Sequence, residues 1–288
     1  MRIRLSRRRR VFLAVLLLAY IGFCMIGGCA DQLILFPSTH PIQAVNATRR
    51  IIQVRGADLE IWVAQSPGAA HSEPQAIVVS FIGNADRGEY AAYDAETWGQ
   101  LPIELWRVNY PGYGGSAGPA RLASIGPAAL AAFDAAAAHA DGRPVFVEGT
   151  SLGTAAALHV SSQRQVAGML LRTPVPLRQV ILGSFGWWNL WLLAGPVALG
   201  VPAELDSLKN AAATKAPAVF LLIETDEVVP VRYQQRVAEA FAGPSRQVLG
   251  GGGHNSPLSA ATRRQLGAEL SWLWQQAGLT PPAHVAEP

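Results

Sequence analysis

Cysteine is scarce in this 288-residue chain: there are two, Cys24 and Cys29, and none beyond position 29. That excludes a disulfide framework and a cysteine metal site from everything downstream. Acidic side chains are missing from the first 30 positions, the first being Asp31. Charge is sparse overall, at 15% of residues, and the net charge of +3 is unevenly held. Six of the 23 basic residues, Arg2, Arg4, Arg7, Arg8, Arg9 and Arg10, crowd the first ten positions. Beyond residue 28 the chain carries 17 basic and 20 acidic side chains. The basic character is therefore a leader and not a binding face, which excludes nucleic acid as a partner. Repeats at solenoid or propeller periods are also lacking. What is present in quantity is apolar residues, 50% of the chain, too many for intrinsic disorder in its bulk.

Directly behind the arginine block, Val11 to Gly28 contains no charge. The run lies between a long signal-peptide core and a short membrane span. Either way the arginines stay on the cytoplasmic side and the rest crosses. Residues 1–28 are thus expected to be a signal peptide or membrane anchor, with the domain on the non-cytoplasmic side of a cell envelope. Ile26-Gly27-Gly28 before Cys29 resembles a bacterial lipobox, which implies cleavage before Cys29 and acylation of its thiol. An uncleaved anchor is the alternative. Arg9-Arg10-Val11-Phe12-Leu13 also resembles a twin-arginine export signal, beside the general export route.

Residues 29–48 have little periodicity and read as a tether. From residue 49 short β-branched runs alternate with alanine-rich stretches. Strands are expected at 49–54, 59–64, 76–82, 103–109, 144–148, 168–172, 218–223 and 246–249. Helices are expected at 89–100, 127–140, 152–161, 230–242 and 259–277. Such alternation means βαβ units and an α/β fold, a mostly parallel eight-stranded sheet flanked by helices. The turn Val54-Arg55-Gly56-Ala57 predicts an antiparallel hairpin leading into it. One domain is expected over 49–278, with a flexible tail at 279–288.

Strand 144–148 runs into Gly149-Thr150-Ser151-Leu152-Gly153 and then a helix. G-x-S-x-G alone is weak, at about 0.1 chance matches per chain of this length. Between a strand and a helix it is specific, because so tight a turn demands glycines and strains and exposes the serine. The helix then begins beneath the hydroxyl, aiming the Leu152 N–H at any oxyanion formed there. A serine alcohol needs a base, and the base needs an orienting carboxylate. Three histidines follow Ser151: His159 on the same helix, His284 in a proline-rich tail, and His254 in Gly250-Gly251-Gly252-Gly253-His254-Asn255. His254, between a strand and the last helix, is the expected base. The acid is expected at the end of strand 218–223, where Glu224, Asp226 and Glu227 cluster. Asp226 is preferred, since the Val228-Val229-Pro230 run after it resembles the usual turn following the acid. A second oxyanion donor is expected from Gly83-Asn84-Ala85-Asp86, with the Asn84 N–H in that role.

These segments carry a family resemblance. Phe81-Ile82-Gly83-Asn84-Ala85, Val108 to Ser116 (VNYPGYGGS), Gly149 to Gly153, Asp206-Ser207-Leu208, Asp226 to Pro230 and Gly253-His254-Asn255 occur in order. The chain resembles α/β-hydrolases of the serine aminopeptidase-like or monoglyceride-lipase-like group, close to bacterial membrane-anchored members. Leu35-Phe36-Pro37 is similar to the tether of those members. Ile82 stands where many relatives have His, and Pro111 where Arg is common. The resemblance implies the α/β-hydrolase fold, a Ser151-His254-Asp226 triad and a small apolar cap at about 173–215. That stretch holds Trp187, Trp188 and Trp191 among leucines. The implied activity is cleavage of carboxylic esters or thioesters through an acyl-enzyme, with a small-molecule acyl or lipid substrate and no metal or organic cofactor. A peptidase or amidase of the serine aminopeptidase type, and a non-catalytic envelope protein retaining the fold, are the alternatives.

Overall fold

The computed structural model describes residues 6–26, 28–70, 72–187, 192 and 194–282. The expected positions Arg2, Arg4, Gly27, Trp188, Asn189, Leu190, Trp191, Leu193 and His284 lie outside the described residues. Eight strands form one sheet: β1 (Thr48–Val54), β2 (Ala57–Gln65), β3 (Ala76–Phe81), β4 (Ile103–Val108), β5 (Val145–Thr150), β6 (Met169–Arg172), β7 (Ala218–Ile223) and β8 (Ser245–Gly250). All eight coincide with the sequence expectation to within two residues at either end. The order across the sheet is β1-β2-β4-β3-β5-β6-β7-β8. β1 and β2 pair antiparallel through the expected hairpin, whose Arg55 and Gly56 have φ of 52° and 80°. β2 also pairs antiparallel with β4, and every later pairing is parallel.

Ten α-helices accompany the sheet among the described residues: α1 (Arg7–Ile26), α2 (Cys29–Ile34), α3 (Ala91–Ala95), α4 (Leu122–His139), α5 (Leu152–Gln163), α6 (Leu177–Phe185), α7 (Ala194–Leu199), α8 (Ser207–Ala213), α9 (Val231–Ala240) and α10 (Ala260–Gln276). α4, α5 and α8 cover one face of the sheet, and α3 and α10 the other. Central strands buried on both sides read as continuous apolar runs, such as AVFLLI in β7, every residue of which is buried.

Three expectations need correction. The helix expected over 89–100 is broken into a 3₁₀ turn at Gly88–Tyr90, α3, and a second 3₁₀ turn at Glu96–Trp98. Tertiary partners set these turns: Asp94 sits 2.7 Å from Arg107, and Trp98 Nε1 donates to Glu148 at 2.8 Å. α4 begins at Leu122, five residues before Pro127, which it holds internally. Its Leu122 N–H is capped by the Asp31 carboxylate at 2.8 Å, from 91 residues earlier. Asp31 belongs to the third correction, for 29–48 is not a loose tether throughout. Residues 29–34 form α2, Ala30 and Leu35 are buried in the core, and α2 contacts both α1 and α7.

Candidate active site

The C-terminal ends of parallel strands collect at one edge, and each expected residue stands on a loop leaving that edge. Ser151 lies between β5 and α5 with φ 51° and ψ −117°, a backbone strained for any residue with a side chain. The strain is held in place on both sides. Ser151 N–H donates to Arg172 O at 2.9 Å, and Ser151 O accepts Thr154 Oγ1 at 2.6 Å and Thr154 N–H at 2.9 Å.

The flanking glycines are obligatory for a measurable reason. A Cβ on Gly149 would stand 2.4 Å from Gly153 O, and one on Gly153 would stand 1.9 Å from Phe81 O. Strand β3, the serine turn and the start of α5 are in backbone contact, with no room for a methyl group. Gly153→Ala is accordingly expected to destabilise the fold by about 3 kcal/mol or more. Urea unfolding measures this, and a loss below 1 kcal/mol (roughly, the lower end of overpacking costs) contradicts the tight contact.

Asp226 leaves β7 and His254 leaves β8, so adjacent strands carry them. His254 Nδ1 lies 2.7 Å from Asp226 Oδ2. The other carboxylate oxygen, Oδ1, accepts the N–H groups of Val228 at 2.8 Å and Val229 at 2.7 Å. These bonds make Val228-Val229 a turn folded around the acid. Glu224 is exposed, whereas Glu227 accepts the backbone N–H of His254 at 3.1 Å. Ser151, Asp226 and His254 are all buried. His159 does not join them: it is buried on α5 with its ring beside Gly126 of α4, and burial lowers its pKa.

The Asn84 and Leu152 N–H groups donate to no partner among the described residues, as free oxyanion donors require. Gly83 abuts the serine turn, its Cβ position 3.5 Å from Thr150 O and 3.9 Å from Ser151 Cβ.

The sequence reading missed Gln234. It is fully buried on α9, where Oε1 accepts Ile223 N–H and Nε2 donates to Val229 O at 2.7 Å and Asp226 Oδ2 at 3.2 Å. Gln234 thus ties the end of β7 to the acid. A signal was available, because Tyr233, Gln234, Val237 and Ala238 share the buried face of α9 and Gln is the one polar amide there. Thr154 was likewise passed over.

Beside His254 and Thr150 a cleft of about 930 Å³ runs between α3 and α10, with Tyr90, Tyr93, Asp94, Trp98, Arg107 and Arg172 in its walls. Beneath it Glu148 is pushed up to about 7, by burial first and then by Asp94. Of the expected cap, α6, α7 and a 3₁₀ turn at Ala203–Leu205 are seen, with Trp187, Leu192 and Leu199 exposed.

No family model matches the chain. An uncharacterised protein of Mycobacterium tuberculosis is 26% identical over 256 residues, spanning 86% of this chain and 88% of its own. Among solved structures, a Mycobacterium tuberculosis puromycin-hydrolyzing peptidase superposes with a TM-score of 0.61 at 22% identity. That match covers 85% of this chain, which spans only 42% of the peptidase. An esterase of Pyrococcus furiosus superposes with a TM-score of 0.62 at 13% identity, over 84% of this chain and 97% of its own. On these superpositions and its eight-stranded, mostly parallel sheet, the chain has the fold of the α/β-hydrolases.

Proposed function

We propose that the chain is a membrane-attached serine hydrolase that cleaves carboxylic ester or thioester bonds. The observation that carries this is the 2.7 Å Asp226–His254 contact at the same sheet edge as the strained Ser151. In the reaction, Ser151 Oγ bonds to the substrate carbonyl carbon while His254 Nε2 takes its proton. Asp226 holds the ring and stabilises the imidazolium. The oxyanion rests on the Asn84 and Leu152 N–H groups. As the carbonyl re-forms, the bond to the leaving alcohol or thiol breaks and His254 returns the proton to it. Water, deprotonated by His254, then attacks the acyl-serine and frees the acid.

Attachment rests on α1, whose apolar side chains from Val11 to Leu18 are exposed. A helix of 20 residues is about 30 Å long, enough to span a hydrocarbon core. Acylation of Cys29 after cleavage is the alternative attachment, and both put the domain on the non-cytoplasmic face of an envelope. Lipid or acyl substrates are favoured because the apolar cap lies against the anchor: α7 contacts α1, and Trp187 is 73% exposed. The resemblance to monoglyceride-lipase-like proteins points the same way. A peptidase reading draws on the cleft beside His254, where Glu96 offers a carboxylate to a substrate amino group, Asp86 and Asp94 in the same wall being paired with Arg107.

The test is a fluorophosphonate probe on the full-length protein in detergent, followed by peptide mapping. One adduct per chain is expected, on the peptide holding Ser151. An unlabelled protein, or an adduct elsewhere, sinks the hydrolase reading. Turnover of p-nitrophenyl esters of increasing acyl length, against aminoacyl amides, then separates ester from peptide chemistry.

A further inference from the structure

The segment that leaves the membrane reaches the oxyanion loop and holds it. The Asn84 side chain turns toward residues 34–36 and makes an unusual number of bonds for one amide. Nδ2 donates to Ile34 O. Oδ1 accepts three donors: Phe36 N–H at 2.9 Å, Ala85 N–H at 3.1 Å and Tyr113 OH at 3.0 Å. The loop itself has little to keep its shape. Its one internal backbone bond is Asp86 N–H to Gly83 O at 3.4 Å, and Ala85 sits at φ 61°, in the left-handed region. A loop so short of its own bonds depends on partners outside it.

Those partners are themselves fixed. Leu35, between the two residues that grip Asn84, is buried in the core. Arg87, at the far end of the loop, donates through Nη1 to Ser38 Oγ at 3.2 Å and His40 O at 2.8 Å. Gly114 N–H donates to Ser38 O at 2.9 Å, joining the loop that carries Tyr113 to the same segment. Burial raises the Tyr113 phenol to about 12, so it remains a donor at any working pH.

We propose that residues 34–40 and Tyr113 form a clamp on the Asn84 side chain that fixes the orientation of the Asn84 N–H toward Ser151. The tether is then a positioning element for turnover as well as a link to the membrane. The inference rests on the hydrolase reading and deepens it. The hold divides one residue between two tasks, with the backbone N–H left free for the oxyanion and the side chain committed to the tether.

Asn84→Ala keeps the backbone donor and removes every bond made by the Asn84 side chain, and Tyr113→Phe removes one of them. Deleting an oxyanion donor outright costs about 10²–10³ in kcat. Losing only its orientation is expected to lower kcat about 10- to 100-fold in Asn84→Ala and about threefold in Tyr113→Phe, with KM within about twofold in both. Affinity for a trifluoromethyl ketone, whose serine adduct carries an oxyanion, should fall in parallel with kcat. A purely structural defect lowers active fraction and melting temperature without separating the ketone from the substrate. Asp31→Ala is the control, since it removes the bond from the tether to α4 and leaves the clamp bonds intact; its kcat should match wild type. All are measured on full-length protein in detergent with a p-nitrophenyl ester.

The clamp is overturned if wild type turns over and Asn84→Ala stays within twofold of its kcat. It is overturned equally if ketone affinity holds while kcat falls, or if Asp31→Ala loses as much as Asn84→Ala. A wild type that neither turns over nor labels removes the hydrolase reading, and the clamp with it.

Discussion

Replacing Ser151 by alanine is expected to lower kcat/KM for a carboxylic ester by roughly 10⁵- to 10⁶-fold, the scale seen when a serine nucleophile is deleted. The size follows from the proposed mechanism, which gives the site one way to form a covalent intermediate. Ser151 is the residue the backbone strains to present, and its neighbours Gly149 and Gly153 cannot be enlarged to move it. What remains in the variant is positioning by the cleft and two oxyanion donors with no nucleophile below them. His254→Ala is expected to fall as far, and the double variant no farther, because the two act as one unit. Alanine relieves none of the hydrogen bonds that hold the turn, which run through the Ser151 backbone N–H and C=O, so the melting temperature should hold. Steady-state assays decide it; activity above 1% of wild type (a loss under about 10²-fold) points to a different nucleophile.

Asp226→Asn is expected to lower kcat by about 10⁴-fold while the protein stays folded. The direction comes from how each carboxylate oxygen is used. Oδ1 accepts two backbone N–H groups, from Val228 and Val229, and Oδ2 faces His254 Nδ1. An amide in this place keeps its oxygen on the two N–H donors and turns its NH₂ toward the ring. His254 must then accept at Nδ1 and carry its proton on Nε2, the tautomer that cannot take a proton from Ser151. The NH₂ also meets Gln234 Nε2, so a modest fall in melting temperature accompanies the kinetic loss. A kcat drop of less than tenfold, against the expected ~10⁴, would falsify the orienting role.

Much of this site was legible before the fold was seen, because its determinants are local. Gly149-Thr150-Ser151-Leu152-Gly153 names its own geometry, and eight short apolar runs name a sheet. His254 was reached by chain order, and Asp226 by the turn whose Val228 and Val229 N–H groups its carboxylate accepts. The features that escaped depend on partners far apart in sequence. Asp31 caps α4 across 91 residues, and Ile34 binds Asn84 across 50. Neither pair has a period or a spacing to betray it. Pro127 suggested a helix start, yet the start was set by a carboxylate in another segment. Gln234 escaped for a different reason: one polar residue on a buried helical face is lost when only the apolar ones are counted.

The docking of residues 30–40 also limits reach. A free chain of the 20 residues from 29 to 48 has an end-to-end distance of about 25 Å, and its domain samples a wide shell of solvent. Here the distance from Cys29 to the clamped oxyanion loop is one six-residue helix, about 9 Å of rise. If the proposed attachment holds Cys29 at the bilayer, catalysis is confined to a thin layer above the membrane. Molecules embedded in that layer, or passing laterally through it, meet the serine at high local concentration. Those diffusing in the open compartment rarely do. Under that attachment the leash is short, and its length selects what the protein can touch before any pocket does.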